Sequence, residues 1–117
     1  MVEDIRNFSV AELEARFKTQ GMEPYRARQV FGWLYQKRIE DFSLMKNLSQ
    51  EVRAKLERFY EIPRLAAEKI LTSRDLTQKL LFRLSDGAMI ESVSIPFKSR
   101  LTACLSTQVG CKFSCAF

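Results

Sequence analysis

The sequence predicts an α+β chain, three helices followed by antiparallel strands, on three observations. Apolar residues recur at helical spacing through residues 1–62, and capping and stop signals divide them into three runs. From Leu65 the period changes to two, and Asp86-Gly87 joins two such runs as a hairpin. All three cysteines then fall between Cys104 and Cys115, where a last strand passes into a loop containing Gly110.

Ser9-Val10-Ala11-Glu12 is a capping box, with Ser9 accepting from the Glu12 amide, and Gly21 is a natural stop after Val10, Leu13 and Phe17. Pro24 suits a first helical position, and Ala27, Val30, Phe31 and Leu34 share one arc of a second helix that runs to about Arg38. On its flank Arg26, Trp33 and Lys37 lie within about 20° of one line. That stripe is either a nucleic-acid contact or a solvated edge with Trp33 half-packed. Ser49 caps a third helix, whose Val52, Leu56 and Phe59 face inward and which ends before Pro63. The chain thus divides into a helical domain (1–62), a linking hairpin region (63–99) and a final strand with the cysteine loop (100–117).

With Asp86-Gly87 as a two-residue loop, Phe82 faces Glu91 and Leu80 faces Val93. One face then carries Leu80, Phe82, Leu84, Met89, Val93 and Ile95, and the other Lys79, Leu81, Arg83, Ile90, Ser92 and Ser94. Glu91 falls among the apolar residues. A desolvated carboxylate there has a raised pKa and can accept or donate a proton, which makes it a functional candidate. The plain alternative is a Glu91 paired with a nearby Lys or Arg, or turned to solvent by a bulge. The last strand, Arg100 to about Ser106, delivers the chain to the cysteines.

Cys111 and Cys115 are three residues apart in a polar, Gly-flanked stretch, so a loop can turn both thiolates toward one metal centre. A cysteine at position 118 would complete C-x-x-x-C-x-x-C, and closely spaced cysteines are how one loop supplies an iron–sulfur cluster. Half of a zinc site, a redox pair, or small apolar side chains in a turn are open on spacing alone.

Composition narrows the chemistry. At 117 residues with 46% apolar and 28% charged side chains, the chain has the make-up of one small globular domain. It contains no histidine, which removes Ser-His-Asp and Cys-His mechanisms from these residues. An odd cysteine count with an acidic, uncored start at Met1-Val2-Glu3-Asp4 suggests a reducing cytoplasm and ligation, not a disulfide framework. No apolar run approaches a membrane span. The net charge of +5 is uneven, eleven Lys or Arg against ten acids in 1–62 and eight against four in 63–117. A modest positive field suits a polyanion such as RNA.

Three stretches together carry a resemblance: Pro24-Tyr25-Arg26-Ala27-Arg28-Gln29-Val30-Phe31-Gly32-Trp33-Leu34, Ile90-Glu91-Ser92-Val93-Ser94-Ile95-Pro96, and Thr102-Ala103-Cys104-Leu105-Ser106-Thr107-Gln108-Val109-Gly110-Cys111. In this order they resemble the bacterial dual-specificity ribosomal and transfer RNA adenine methyltransferases of the radical S-adenosylmethionine superfamily. The likeness covers nearly the whole chain.

The resemblance implies a helical RNA-binding domain, a linking hairpin, and the first strand and cluster loop of a truncated (β/α) barrel. It implies a [4Fe-4S] cluster held by Cys111 and Cys115, with a third ligand at position 118, and S-adenosylmethionine as cofactor. Glu91 matches the family's proton acceptor in Glu-x-Val-x-Ile-Pro, and Cys104 a cysteine that resolves a covalent protein–RNA intermediate. The nearby cations Arg100 and Lys112 would favour the Cys104 thiolate. The implied product is a methyl group on carbon 2 of an adenine in 23S rRNA or tRNA. The implied setting is a cytoplasmic monomer with no membrane partner, supplied with electrons by a donor such as a flavodoxin system. The third cluster cysteine, the methyl-carrying cysteine, the Gly-rich cofactor-binding strand and most of the barrel are missing from these residues, so this piece is expected to be inactive and to expose an apolar patch.

Two other functions keep parts of this pattern. A basic helical RNA-binding module explains the charge but not Glu91 or the Gln-Val-Gly-Cys stretch. A related methyltransferase acting on carbon 8 of the same adenine, conferring antibiotic resistance, shares these motifs.

Overall fold

The computed structural model describes residues 1–113, 115 and 116. It divides into two units, Met1–Arg64 and Leu65–Phe117.

The first unit contains the three expected helices, α1 (Val10–Thr19), α2 (Arg26–Tyr35) and α3 (Gln50–Phe59). The Ser9 capping box forms on both sides, with the Ser9 amide donating to the Glu12 carboxylate at 2.7 Å and the Glu12 amide donating to Ser9 Oγ at 3.3 Å. Ser49 caps α3 in the same way, accepting from the Val52 amide. Pro24 lies in the turn before α2, where its carbonyl accepts from the Ala27 amide. That helix ends earlier than the sequence suggests. Gln36 is its cap, Lys37 donates its amide back to the Gly32 carbonyl, and Arg38 takes φ 53°, which no α-helix continues.

The core includes the expected Leu13, Phe17, Ala27, Val30, Leu34 and Leu56, all buried. It also includes residues without helical periodicity to announce them: Met22 at the Gly21 stop, and Ile39, Phe42, Met45 and Leu48 in the long α2–α3 connection. A short parallel pair, β1 (Glu3–Asp4) with β2 (Tyr60–Glu61), ties the start of the unit to its end and buries Ile5 and Tyr60. The Tyr60 hydroxyl donates to Gln20 at 3.0 Å, which satisfies its one buried polar atom.

The second unit is a four-stranded antiparallel sheet in sequence order: β3 (Ala67–Thr72), β4 (Gln78–Arg83), β5 (Met89–Phe97) and β6 (Arg100–Leu105). The hairpin and the last strand therefore share one sheet in this chain. The edge strand β3 is additional to the sequence reading. A polar turn joins it to β4, with Asp75 accepting from the Thr77 amide and hydroxyl. Between β5 and β6 the chain reverses over Lys98 and Ser99, with Lys98 at φ 52°.

The β4–β5 hairpin forms as expected, but one residue out of the expected register. Leu84 donates to the Ala88 carbonyl at 2.8 Å, leaving Ser85-Asp86-Gly87 as a three-residue loop with Gly87 at φ 85°. A three-residue loop closing through a left-handed glycine is the next commonest hairpin after the two-residue form. A slip of one residue exchanges the faces. Glu91 faces Leu81, not Phe82, and Val93 faces Lys79. One face now carries Leu80, Phe82, Ile90, Leu101, Ala103 and Leu105, and the other Lys79, Leu81, Arg83, Met89, Glu91 and Val93. No described residue of this unit is fully buried, and Leu101 and Leu105 are 72% and 69% exposed. The expected apolar patch is present.

Candidate functional site

Strand alternation sets what shares the second face. Val93 lies opposite Cys104 across the β5–β6 ladder, and Glu91 is two residues before Val93 on the same strand. Glu91 and Cys104 are therefore on one side of the sheet as diagonal neighbours, a relation that spans roughly 7–8 Å between Cα atoms. The Ser106 hydroxyl donates to the Glu91 carbonyl, so the chain leaving β6 is fastened beside Glu91 as it enters the cysteine loop.

The surroundings of Glu91 differ from the apolar pocket expected of it. The register slip puts Lys79 on its face, and Lys79 Nζ stands 3.6 Å from Glu91 Oε1 with about half of each side chain exposed. The carboxylate is paired and solvated, as the plain alternative has it. The nearest long-range ion pair on this sheet is stronger in form: Arg83 donates twice to Glu68, both at 2.7 Å. That bidentate bond holds the Glu68 carboxyl below its ordinary 4.5 and raises Arg83.

Cys104, Cys111 and Cys115 are all free thiols exposed to solvent. The Arg100 guanidinium lies 6.0 Å from the Phe97 ring centre, and the Lys112 ammonium 5.1 Å from that of Phe113. Gln108 to Phe113 curl around an open concavity of about 660 Å³, with Gly110 at φ 73° making the turn and the Phe113 amide donating to Cys111 Sγ at 3.5 Å. Among the described residues no three His, Cys, Asp or Glu side chains come together. Cys111 lines this concavity and Cys115 follows it in the chain, and sulfur is the donor type an iron–sulfur cluster takes. Phe117 and position 118 lie outside the described residues.

In the helical unit the stripe of Arg26, Trp33 and Lys37 is not one line, because Lys37 is past the end of α2. Arg26 donates to Gln29 at 2.8 Å and stacks over Tyr25. Trp33 is half-buried, packed against the core, and its indole N–H donates to Asn47 Oδ1. Asn47 is a neighbour that helical spacing could not supply. The observable signal was only a lone Trp beside a polar connection.

Residues 3–62 match the family described as the ribosomal RNA large subunit methyltransferase N-terminal domain. Over 97% of its length the chain is 49% identical to a protein of Geotalea uraniireducens named dual-specificity RNA methyltransferase RlmN, and 47% identical to the protein of that name in Geobacter sulfurreducens. It covers 33% and 32% of those two proteins. A crystal structure of a radical SAM methyltransferase from Sphaerobacter thermophilus superposes with a TM-score of 0.82 at 36% identity, over 98% of this chain and 34% of that one. The chain spans about a third of the length of the relatives it matches.

Proposed function

The chain belongs to the ribosomal RNA large subunit methyltransferase N-terminal domain family, and from that membership we propose that it is the N-terminal part of a radical S-adenosylmethionine enzyme methylating carbon 2 of adenine in 23S rRNA and tRNA. The observation that carries the reading is the shared face of Glu91 and Cys104, with β6, the strand that bears Cys104, leading through residues 106–110 to Cys111. The named relatives support the RNA substrates and the cofactor class.

On this reading residues 1–62 hold RNA, residues 63–99 link, and residues 100–117 begin the barrel of a longer protein. Cys111 and Cys115 would hold the cluster, together with a third thiolate at position 118. When bound, the cluster and S-adenosylmethionine supply the one-electron chemistry that starts methyl transfer. Glu91 accepts the proton that leaves carbon 2 of the adenine. Its carboxylate stands on an inner strand of the sheet with about half of the side chain exposed, as a base needs to reach its substrate. Lys79 stands beside the carboxylate from the neighbouring strand. Cys104, on the same face, supplies a thiol or thiolate to resolve a protein–RNA intermediate. The protein acts in the cytoplasm as a monomer, with electrons from a flavodoxin-type donor. Among the described residues no helix is long and apolar enough to cross a membrane.

Anaerobic iron–sulfide reconstitution of the chain extended past Phe117, followed by incubation with S-adenosylmethionine, a reductant and 23S rRNA or tRNA, tests the reading. A broad absorbance near the visible edge and 2-methyladenosine in digested RNA are expected. Stoichiometric zinc without iron uptake overturns it, and 8-methyladenosine as product reassigns the carbon.

A further inference from the structure

Gly32 leaves a gap in the outer surface of α2. Gln29 precedes it by three residues and Gln36 follows by four, so these two side chains flank bare helix backbone. Gln29, Gly32, Trp33, Gln36, Lys37 and Asn47 together line a concavity of about 200 Å³. Its composition is specific. One wall carries the half-buried indole, three side chains are carboxamides, one is a cation, and none is an acid. Lys37 makes no ion pair among the described residues.

Carboxamides offer the donors and acceptors that the edge of a nucleobase requires; Gln29 Oε1 and Asn47 Oδ1 already accept from Arg26 and the Trp33 indole, so these two present their NH2 donors, and the indole offers a surface for stacking. The free ammonium of Lys37 suits the adjoining phosphate. The glycine has no evident structural need of its own. Its φ is not positive, and an added Cβ would meet only Gln36 Oε1, at an ordinary 3.7 Å. A helix-interior glycine is destabilising relative to alanine, and here it leaves the floor of the concavity open where a methyl group would have fitted.

We infer that this concavity binds one unstacked nucleobase of single-stranded RNA, with Trp33 as its stacking wall, Gln29, Gln36 and Asn47 as its edge readers and Lys37 on the phosphate. The inference rests on the RNA reading above and assigns it a site.

Trp33 is the only tryptophan, so its fluorescence reports on the concavity alone. The chain is titrated with a single-stranded oligoadenylate ribonucleotide at several salt concentrations. The expected result is saturable quenching whose affinity falls as salt rises. Gly32→Leu, which fills the gap, is expected to keep its far-UV helical signal and weaken binding about tenfold or more. Gln36→Leu serves the same purpose without touching the helix backbone. Lys37→Ala should lower the salt slope by about one. Unchanged affinity in both Gly32→Leu and Gln36→Leu overturns the inference, as does equal quenching by an abasic oligomer of the same length. The methyltransferase reading is scored separately, by methylation in the longer protein. Lost quenching with intact methylation removes only the base site; quenching without methylation keeps the base site and removes the enzyme.

Discussion

Glu91 and Cys104 stand on the same face of the sheet on adjacent strands, one diagonal step apart across the Val93–Cys104 pair. That relation depends on the Lys98-Ser99 turn between β5 and β6, since a one-residue change there would move Cys104 to the opposite face. The two groups proposed to handle the proton and the covalent intermediate are therefore presented together by backbone geometry, before any cofactor is added.

The proposed roles of the cysteines can be separated by substitution. Cys104→Ala in the longer protein should retain a full complement of iron after reconstitution, whereas Cys111→Ala and Cys115→Ala should each lose it. Iron and sulfide quantitation decides this, and iron loss in Cys104→Ala would place Cys104 among the ligands instead.

The hairpin register is held by a glycine that needs a left-handed backbone. Gly87→Ala at φ 85° should destabilise the sheet by about 1 kcal/mol, even though open space surrounds the new methyl group. Chemical denaturation monitored on the sheet checks it; an unchanged midpoint would mean that the turn does not set the register.

Gly32→Ala should act in the opposite direction. It replaces a helix-interior glycine at a position with room for the methyl, so the helical unit should gain roughly 0.5–1 kcal/mol. A higher unfolding midpoint is expected, and a lower one would reveal a packing role for the bare backbone.

The capping box predicts a pH effect with a definite sign. Hydrogen bonds from the Ser9 amide and then its hydroxyl hold the Glu12 carboxyl below its ordinary 4.5. A group whose folded value is lowered stabilises the fold fully above its unfolded value and loses that contribution as pH falls through the folded one. Stability should thus decline from about pH 4.5 downward, with Glu68, held down by Arg83, declining over the same range. Ser9→Ala should cost about 1 kcal/mol at neutral pH and flatten part of this decline, as followed by thermal melts across pH.

Much of the fold was legible in the sequence because its signals were local. Ser9, Ser49 and Gly21 marked helix ends through bonds within one turn, and Asp86-Gly87 located the hairpin. What was not legible depended on one residue of turn geometry or on distant partners. Asp-Gly is compatible with loops of two or three residues, and choosing between them decided whether Glu91 faced Phe82 or Leu81. The burial of Phe42, Met45 and Leu48 in a non-periodic connection, and the Trp33–Asn47 bond, depend on how helices meet. Of the candidate site, the identities of Glu91, Cys104, Cys111 and Cys115 came from motif text; the pairing with Lys79 required the register.

The most direct test of the account is to measure 2-methyladenosine, by mass spectrometry of digested RNA, after reaction with the reconstituted longer protein carrying Glu91→Gln. A carboxamide keeps the shape but cannot take the proton, so cluster content should match the unaltered protein while methylation falls by about a hundredfold or more, with protein–RNA adduct accumulating. Methylation at the unaltered rate would contradict the assignment of Glu91 as the proton acceptor.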